Sequence, residues 1–184
     1  MSRIIDVFHS IFVYPFRFKS FGKRSKIVSP MTLRGERYME VGNNVYVAHS
    51  AYMAVDTRYP GNIRIEDGCH IGHLNHIVSA SSIVIENDVL TADRVTILDA
   101  SHQYCDISLP IVKQPLDKLR KVTIGEGSWL GENVCVLSAS IGKHCVIGAN
   151  SVVIDDIPDY SIAVGAPARV IKQYDMQTKS WKKV

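Results

Sequence analysis

Histidine and carboxylate side chains carry most of the chemistry that this chain can offer. His102 lies in the stretch DASHQYCDISLPI, from Asp99 to Ile111, with Asp99 three residues before it. A neutral imidazole takes up a proton near physiological pH, and a nearby carboxylate can orient the ring. Asp99 equally suits a turn where a strand ends. A second group, His70, His73 and His76, is spaced by three and invites comparison with metal ligands. The four cysteines, Cys69, Cys105, Cys135 and Cys145, contain no CxxC pair and are too sparse for a disulfide scaffold. A cysteine nucleophile needs an activating base, and nothing local favours one over His102.

The elements that must position these groups form a repeat. From Ile124 the chain reads IGEGSW, LGENVC, VLSAS, IGKHCV, IGANSV and VIDDIP, with an aliphatic residue every six positions and one step of five. The same period starts hexapeptides at Val41, Val47, Met53, Ile65, Ile71, Ile77, Ile85, Thr91 and Ile97. In an extended hexapeptide the first residue, i, shares the inward face with i+4, because strand side chains alternate. Small or slim residues recur at i+4, among them Ala51, Cys69, Ser128 and Ser151, with Asn75 the exception. His70, His76 and Trp129 stand at i+5 and point outward, whereas His73 is at i+2, so the three histidines need not converge.

Position i+1 is often glycine, which predicts corners of positive φ. Every third hexapeptide instead has a bulkier i+1, namely Ala54, Val78, Leu98, Leu137 and Ile154, so three faces complete a turn. The expected fold is all-β: a triangular prism of short parallel strands with about five coils, each burying its i residues against the next. Two insertions interrupt it, at residues 59–64 and at about 99–121. A long loop in a compact domain is usually functional or disordered, and the second insertion carries His102.

Composition agrees with this architecture. Ile and Val together number 41 against 9 Leu, which favours strands over helix bundles. A net charge of +3 without a basic stripe argues against a nucleic-acid partner, and 46% hydrophobic residues exclude a disordered chain. The longest apolar stretch, Ile4 to Phe18, is broken by Asp6, His9 and Arg17 and is too short and polar to span a bilayer. No signal-peptide cleavage pattern follows it, so a cytoplasmic protein is expected.

From about Phe21 to Gln173 the chain resembles the left-handed β-helix, or hexapeptide-repeat, acyltransferases. It is most like the bacterial surface-polysaccharide O-acetyltransferases and the maltose and galactoside acetyltransferases. The repeat, the loop from Asp99 to Ile111, the coil IGEGSWLGENVCV and the ending SIAVGAPARVIK carry the likeness. It implies left-handed winding, a homotrimer, and acetyl-CoA as acyl donor in the clefts between adjacent prisms. The His-bearing loop is then expected to reach over a neighbouring subunit. The implied reaction is direct acetyl transfer to a sugar hydroxyl in surface-polysaccharide biosynthesis, with His102 as general base and Asp99 as its orienting carboxylate.

The resemblance also distributes the other roles. Trp129 matches a tryptophan that flanks the thioester, although an outward ring there equally suits a trimer interface. Gly131 and Ala149 match positions beside the pantetheine arm. Arg169 and Lys172 match a basic pair for the coenzyme phosphates, or else sit in a solvated, helix-like tail. Asn75 and His76 are candidates for the acceptor side, Asn75 equally for bonding a turn. Two departures stand out: Ala100 where Asn or His is common, and Val153-Ile154-Asp155-Asp156 where many relatives carry Thr and Lys. The γ-class carbonic anhydrases share the fold and hold zinc with three histidines, but their ligand pattern is not reproduced, so no metal is expected. An amino-sugar N-acetyltransferase and a non-catalytic trimeric scaffold are the alternatives.

The expected organisation is an N-terminal arm or cap at 1–22, the repeat domain at 23–172 with its inserted loop, and a short C-terminal tail at 173–184. In the arm, Ile4, Ile5, Phe8, Ile11 and Phe12 make one helical face up to Pro15. This arm either covers the open end of the prism or rests weakly on the inner membrane surface.

Overall fold

Alternating burial along short strands that recur every six residues winds the chain into a three-faced parallel β-helix. The structure, a computed structural model, describes residues 2–117 and 119–184, with side chains from residue 4 onward. The first face stacks Ser20–Phe21, Met39–Val41, Ile63–Ile65, Ser82–Ile85 and Lys121–Ile124, continued by single bridges through Ile141 and Ile157. The second face runs from Lys26–Ile27 to Ser161–Gly165, and the third from Thr32–Arg34 to Val152–Val153. The register places each i residue on the next, as in Ile85 on Ile124, Thr91 on Leu130 and Ile97 on Val136. These stacked residues are fully buried. Each aliphatic side chain among them contributes about 1.5–3 kcal/mol relative to exposure.

There are about seven rungs rather than five. The extra ones lie at the ends, with Phe21, Ile27 and Leu33 below the Val41 rung and Ile157 and Ala163 above the Ile141 rung. A terminal rung packs on one side only, which frees its sequence from the repeat's signature.

The corners differ from expectation as well. The left-handed residue sits at i+3, in Asn44, Leu74, Arg94, Asn133, His144 and Asn150 among others, and not at the repeat glycines. Those glycines answer a different need. A Cβ on Gly72 would lie 2.3 Å from the Ala92 carbonyl oxygen, and one on Gly131 2.8 Å from the Ala149 nitrogen. Adjacent rungs approach too closely there for any side chain. The five-residue step is a shortened corner, with Ser138 at φ 48° and Ala139 buried beneath it.

Asn75 turns inward, as its i+4 position dictates. Its Nδ2 donates to the Ala92 carbonyl at 2.8 Å, and its Oδ1 accepts the Thr91 hydroxyl at 2.9 Å. Thr91, the polar residue at an i position of the next rung, is thereby satisfied inside the prism.

The ends are closed by different means. At the start, helices α1 (Ser2–Phe12) and α2 (Tyr14–Arg17) precede the first strand. Tyr14 and Phe18 bury against each other and against Phe21, with ring centroids 5.4–5.5 Å apart. At the other end the expected tail is regular structure: Ser161–Gly165, Ala168–Asp175 and Ser180–Lys183 form an antiparallel meander that extends the second face.

Candidate active site

The inserted loop leaves the prism after the third-face strand Thr96–Leu98 and returns at Lys121–Ile124 on the first face. Its stem is an antiparallel pair in which Ser101 and His102 face Asp117 and Leu116. Gln103 N–H donates to the Pro115 carbonyl at 3.0 Å and lengthens the stem. Farther out, buried Gln114 donates from Nε2 to the carbonyls of Asp106 and Leu109, at 2.8 and 3.0 Å, and ties the loop to itself. The tip is apolar and unprotected, with Ile107 99% and Val112 84% exposed.

Asp99 holds the root of this loop. Its carboxylate is fully buried and accepts the Ser79 hydroxyl at 2.6 Å, Ala80 N–H at 2.7 Å and Ser81 N–H at 2.9 Å. Its carbonyl accepts the N–H of Arg120, just before the returning strand, at 3.1 Å, so one residue clamps both ends of the excursion. No hydrogen bond joins Asp99 to His102 among the described residues. The carboxylate holds the root of the stem that carries His102 and makes no bond to the ring.

His102 is exposed at the rim of a cleft of about 200 Å³ that is also lined by Asp56, Arg58, Val78, Leu98 and Leu116. Sequence reasoning missed the roles of Asp56 and Arg58, and of Tyr59 beside them, although it saw the insertion at residues 59–64. Arg58 grips Asp56 with two bonds, Nε to Oδ1 at 3.0 Å and Nη2 to Oδ2 at 2.7 Å, which holds the Asp56 carboxyl below the usual range. The Tyr59 hydroxyl accepts Leu116 N–H at 3.2 Å and props the stem opposite His102. The short insertion thus braces the long one. His76 lies outward on the strand His76–Ser79, two residues from Val78 and on the same face of that strand, beside the cleft.

The residues matched to the coenzyme form a separate column. Trp129 is half-exposed on the second face, and Gly131 follows it at the corner leading to the third. Gly131 lies directly under Ala149, the next position along the prism axis. Gly148 lies under Val164, which pairs with Arg169 on the antiparallel strand that also holds Lys172. Arg169 therefore belongs to a sheet and not to a helix-like tail. Its Nη1 donates to Asp155 Oδ2 at 2.9 Å, so the departure at Asp155 supplies an acidic partner for the expected phosphate ligand. This column and the root of the His102 loop occupy opposite edges of the third face. One hexapeptide separates them, roughly 15–20 Å.

The remaining candidates scatter. His70 packs on Tyr46, His73 on His49 and His76 on Tyr52, with centroids 4.9, 3.9 and 4.7 Å apart, so the three histidines line three different rows. Among the described residues no group of three or more His, Cys, Asp or Glu is placed to hold a metal ion. Burial pushes the Cys69 thiol up to about 11, and Cys145 is raised for the same reason.

No family model matches the chain, but individual relatives do. A Mycobacterium tuberculosis protein named as an acetyltransferase is 39% identical over 145 residues, which cover 78% of this chain and 46% of that protein. An Escherichia coli K12 protein that carries the name of a lipopolysaccharide biosynthesis O-acetyl transferase, WbbJ, is 35% identical over 161 residues, covering 84% of this chain and 81% of WbbJ. Galactoside O-acetyltransferase of Lactococcus lactis is 33% identical over 141 residues, 76% of this chain and 65% of that enzyme. Among solved structures, AntD, an N-acyltransferase from Bacillus cereus, superimposes with a TM-score of 0.74 over 89% of this chain and 87% of its own at 20% identity, a likeness of fold. With a six-residue solenoid interrupted by a His-bearing loop, and relatives of this kind aligned along most of its length, the chain belongs to the hexapeptide-repeat acetyltransferase family.

Proposed function

We propose that this protein transfers an acetyl group from acetyl-CoA to a sugar hydroxyl in bacterial surface-polysaccharide biosynthesis. The observation that carries the reading is the doubly clamped stem that presents His102 at the rim of an open cleft. In the proposed reaction the His102 imidazole takes the proton of the acceptor hydroxyl as its oxygen attacks the thioester carbonyl. The tetrahedral intermediate collapses with cleavage of the C–S bond, and the imidazolium returns its proton to the leaving thiolate. No acyl-enzyme forms. His76 and Arg58 lie where an acceptor entering this cleft meets them.

The coenzyme is assigned to the column from Trp129 through Gly131 and Ala149 to Arg169 and Lys172. A coenzyme on that column ends far from His102 of the same chain, because the two lie across the width of the third face. A second prism laid against the third face brings the halves together, which supports a homotrimer with sites between subunits. The exposed Ile107 and Val112 at the loop tip, and the outward Tyr46, Leu90 and Trp129 along the second face, are apolar surfaces such packing would cover. WbbJ and galactoside O-acetyltransferase are named for transfer to oxygen, which favours a hydroxyl over the amino group of an amino sugar.

The test pairs binding with turnover. Calorimetric titration with coenzyme A is expected to give one site per chain, weakened in Arg169→Ala/Lys172→Ala. His102→Ala is expected to lower acceptor-dependent release of coenzyme A thiol by roughly two to four powers of ten while binding persists. Equal activity in His102→Ala removes it from the mechanism, and no binding at millimolar coenzyme moves the weight to a scaffold. Parallel assays with neutral and amino sugars separate O- from N-transfer.

A further inference from the structure

Helix α1 is packed with its polarity reversed. Asp6 and Ser10 face the prism and are buried, Asp6 Oδ1 accepting Ser29 N–H at 2.9 Å and the Ser29 hydroxyl at 3.1 Å. Ile4, Ile5, Val7, Phe8, Ile11 and Phe12 are all more than 40% exposed. At 3.6 residues per turn these six spread over roughly 160° of the helix, one continuous apolar face turned away from the protein. Phe16, on α2, extends it and is 87% exposed. The covering of the first rung is done by Tyr14 and Phe18, so α1 is not needed with its apolar side outward to close the prism.

Charge follows the same polarity. Residues 1–40 hold 8 Lys and Arg against 3 Asp and Glu, whereas the rest of the chain holds 13 against 15. Arg17 and Lys19 pair with Glu36 and Glu40. Lys23, Arg24, Arg34 and Arg37 are exposed and, among the described residues, outside any ion pair. One end of a slightly acidic prism therefore joins an outward apolar helix to a basic fringe. No helix among the described residues is long and apolar enough to cross a membrane.

We infer that α1 is an interfacial helix that seats this end of the prism on an anionic lipid surface. Its apolar face enters the boundary between headgroups and acyl chains, and the fringe of Lys and Arg meets lipid phosphates. The His102 loop leaves the fourth rung, three rung spacings or roughly 15 Å along the axis from the first. The cleft therefore stays in water above the headgroups, open to a soluble coenzyme and to an acceptor carried on a lipid. The inference does not depend on the acetyl-transfer reading, because it is tested without substrate.

The test is flotation of the full-length protein with vesicles of phosphatidylethanolamine and phosphatidylglycerol, compared with vesicles of phosphatidylcholine alone. Wild type is expected to float with the anionic vesicles and poorly with the neutral ones. Phe8→Ser/Phe12→Ser is expected to stay at the bottom with its circular dichroism and thermal unfolding unchanged, since both rings are exposed. Lys23→Glu/Arg24→Glu leaves the helix intact and is expected to weaken anionic-vesicle binding by about tenfold or more. Failure of wild type to float overturns the inference, as does flotation of both variants equal to that of wild type. A wild-type assembly that Phe8→Ser/Phe12→Ser dissociates, without any vesicle binding, overturns it in favour of a second copy of the chain on α1.

Discussion

Replacing Asp99 separates a carboxylate that holds the loop from one that acts on the imidazole. Asp99→Ala deletes three hydrogen bonds to a buried charged acceptor and leaves Ala80 N–H and the Ser79 hydroxyl facing an apolar void. Bonds to charged groups contribute about 1.5–3 kcal/mol each, and three on one carboxylate are not additive. A loss of about 3–5 kcal/mol is expected. Asp99→Asn keeps one acceptor oxygen but turns an amide N–H₂ toward backbone donors, for a loss of about 1–3 kcal/mol. Urea unfolding measures both. The second assay is the pH dependence of kcat/KM in the Asn variant, where turnover is expected to fall while the acid limb stays in place. The refuting result is an Asn variant as stable as wild type whose acid limb has moved by about one pH unit or more. Asp99 would then act on His102 directly.

Two further predictions follow from buried and paired side chains. Cys105 is the exposed thiol of the four, while burial raises the Cys69, Cys135 and Cys145 thiols. A thiol reagent at pH 8 is expected to titrate one fast group per chain, absent in Cys105→Ser, and a second fast group in that variant refutes the burial. Asp156 has its carboxyl held below the usual range, first by the Ser140 N–H at 2.7 Å and also by Arg120 at 2.9 Å. A lowered folded value stabilises the protein above the unfolded value of about 3.9 and loses that contribution as the pH falls below it. Stability measured downward from pH 5 is expected to fall less steeply in Asp156→Asn than in wild type, and identical slopes refute the pairing.

The prism was legible because each rung repeats one physical requirement, an aliphatic at i and a slim side chain at i+4, along uninterrupted sequence. The terminal rungs were not, since Phe21 and Leu33 pack against one neighbour and a cap, and neither must satisfy the repeat. The glycines were legible in position and misleading in cause. A period of six marks where adjacent backbones nearly touch, and the left-handed turn two residues later takes Asn, Leu, Arg or His as well as Gly68 and Gly127, so no glycine period marks it. The antiparallel meander carries no period at all, which is why residues 173–184 read as a tail.

The candidate site divides along the same line. Residues named by their place in a repeat, such as Trp129 or His76, were assigned the correct side of the wall, because alternation alone decides inside from outside. Asn75 obeyed that rule too, and its inward amide is consumed by Thr91 and Ala92, leaving no atom for an acceptor. Proximity between loops obeys no such rule. Asp99 lies three residues from His102 yet spends its carboxylate on the rung below, while Tyr59, 57 residues from Leu116, props the stem that presents the imidazole. The column proposed for the coenzyme shows the same contrast. Residues one to two rungs apart on one corner are brought together by stacking, whereas His102 reaches them only across a face. In the proposed reading a second prism packed against that face completes the site, so that its geometry depends on the surface of the third sheet and on the apolar loop tip.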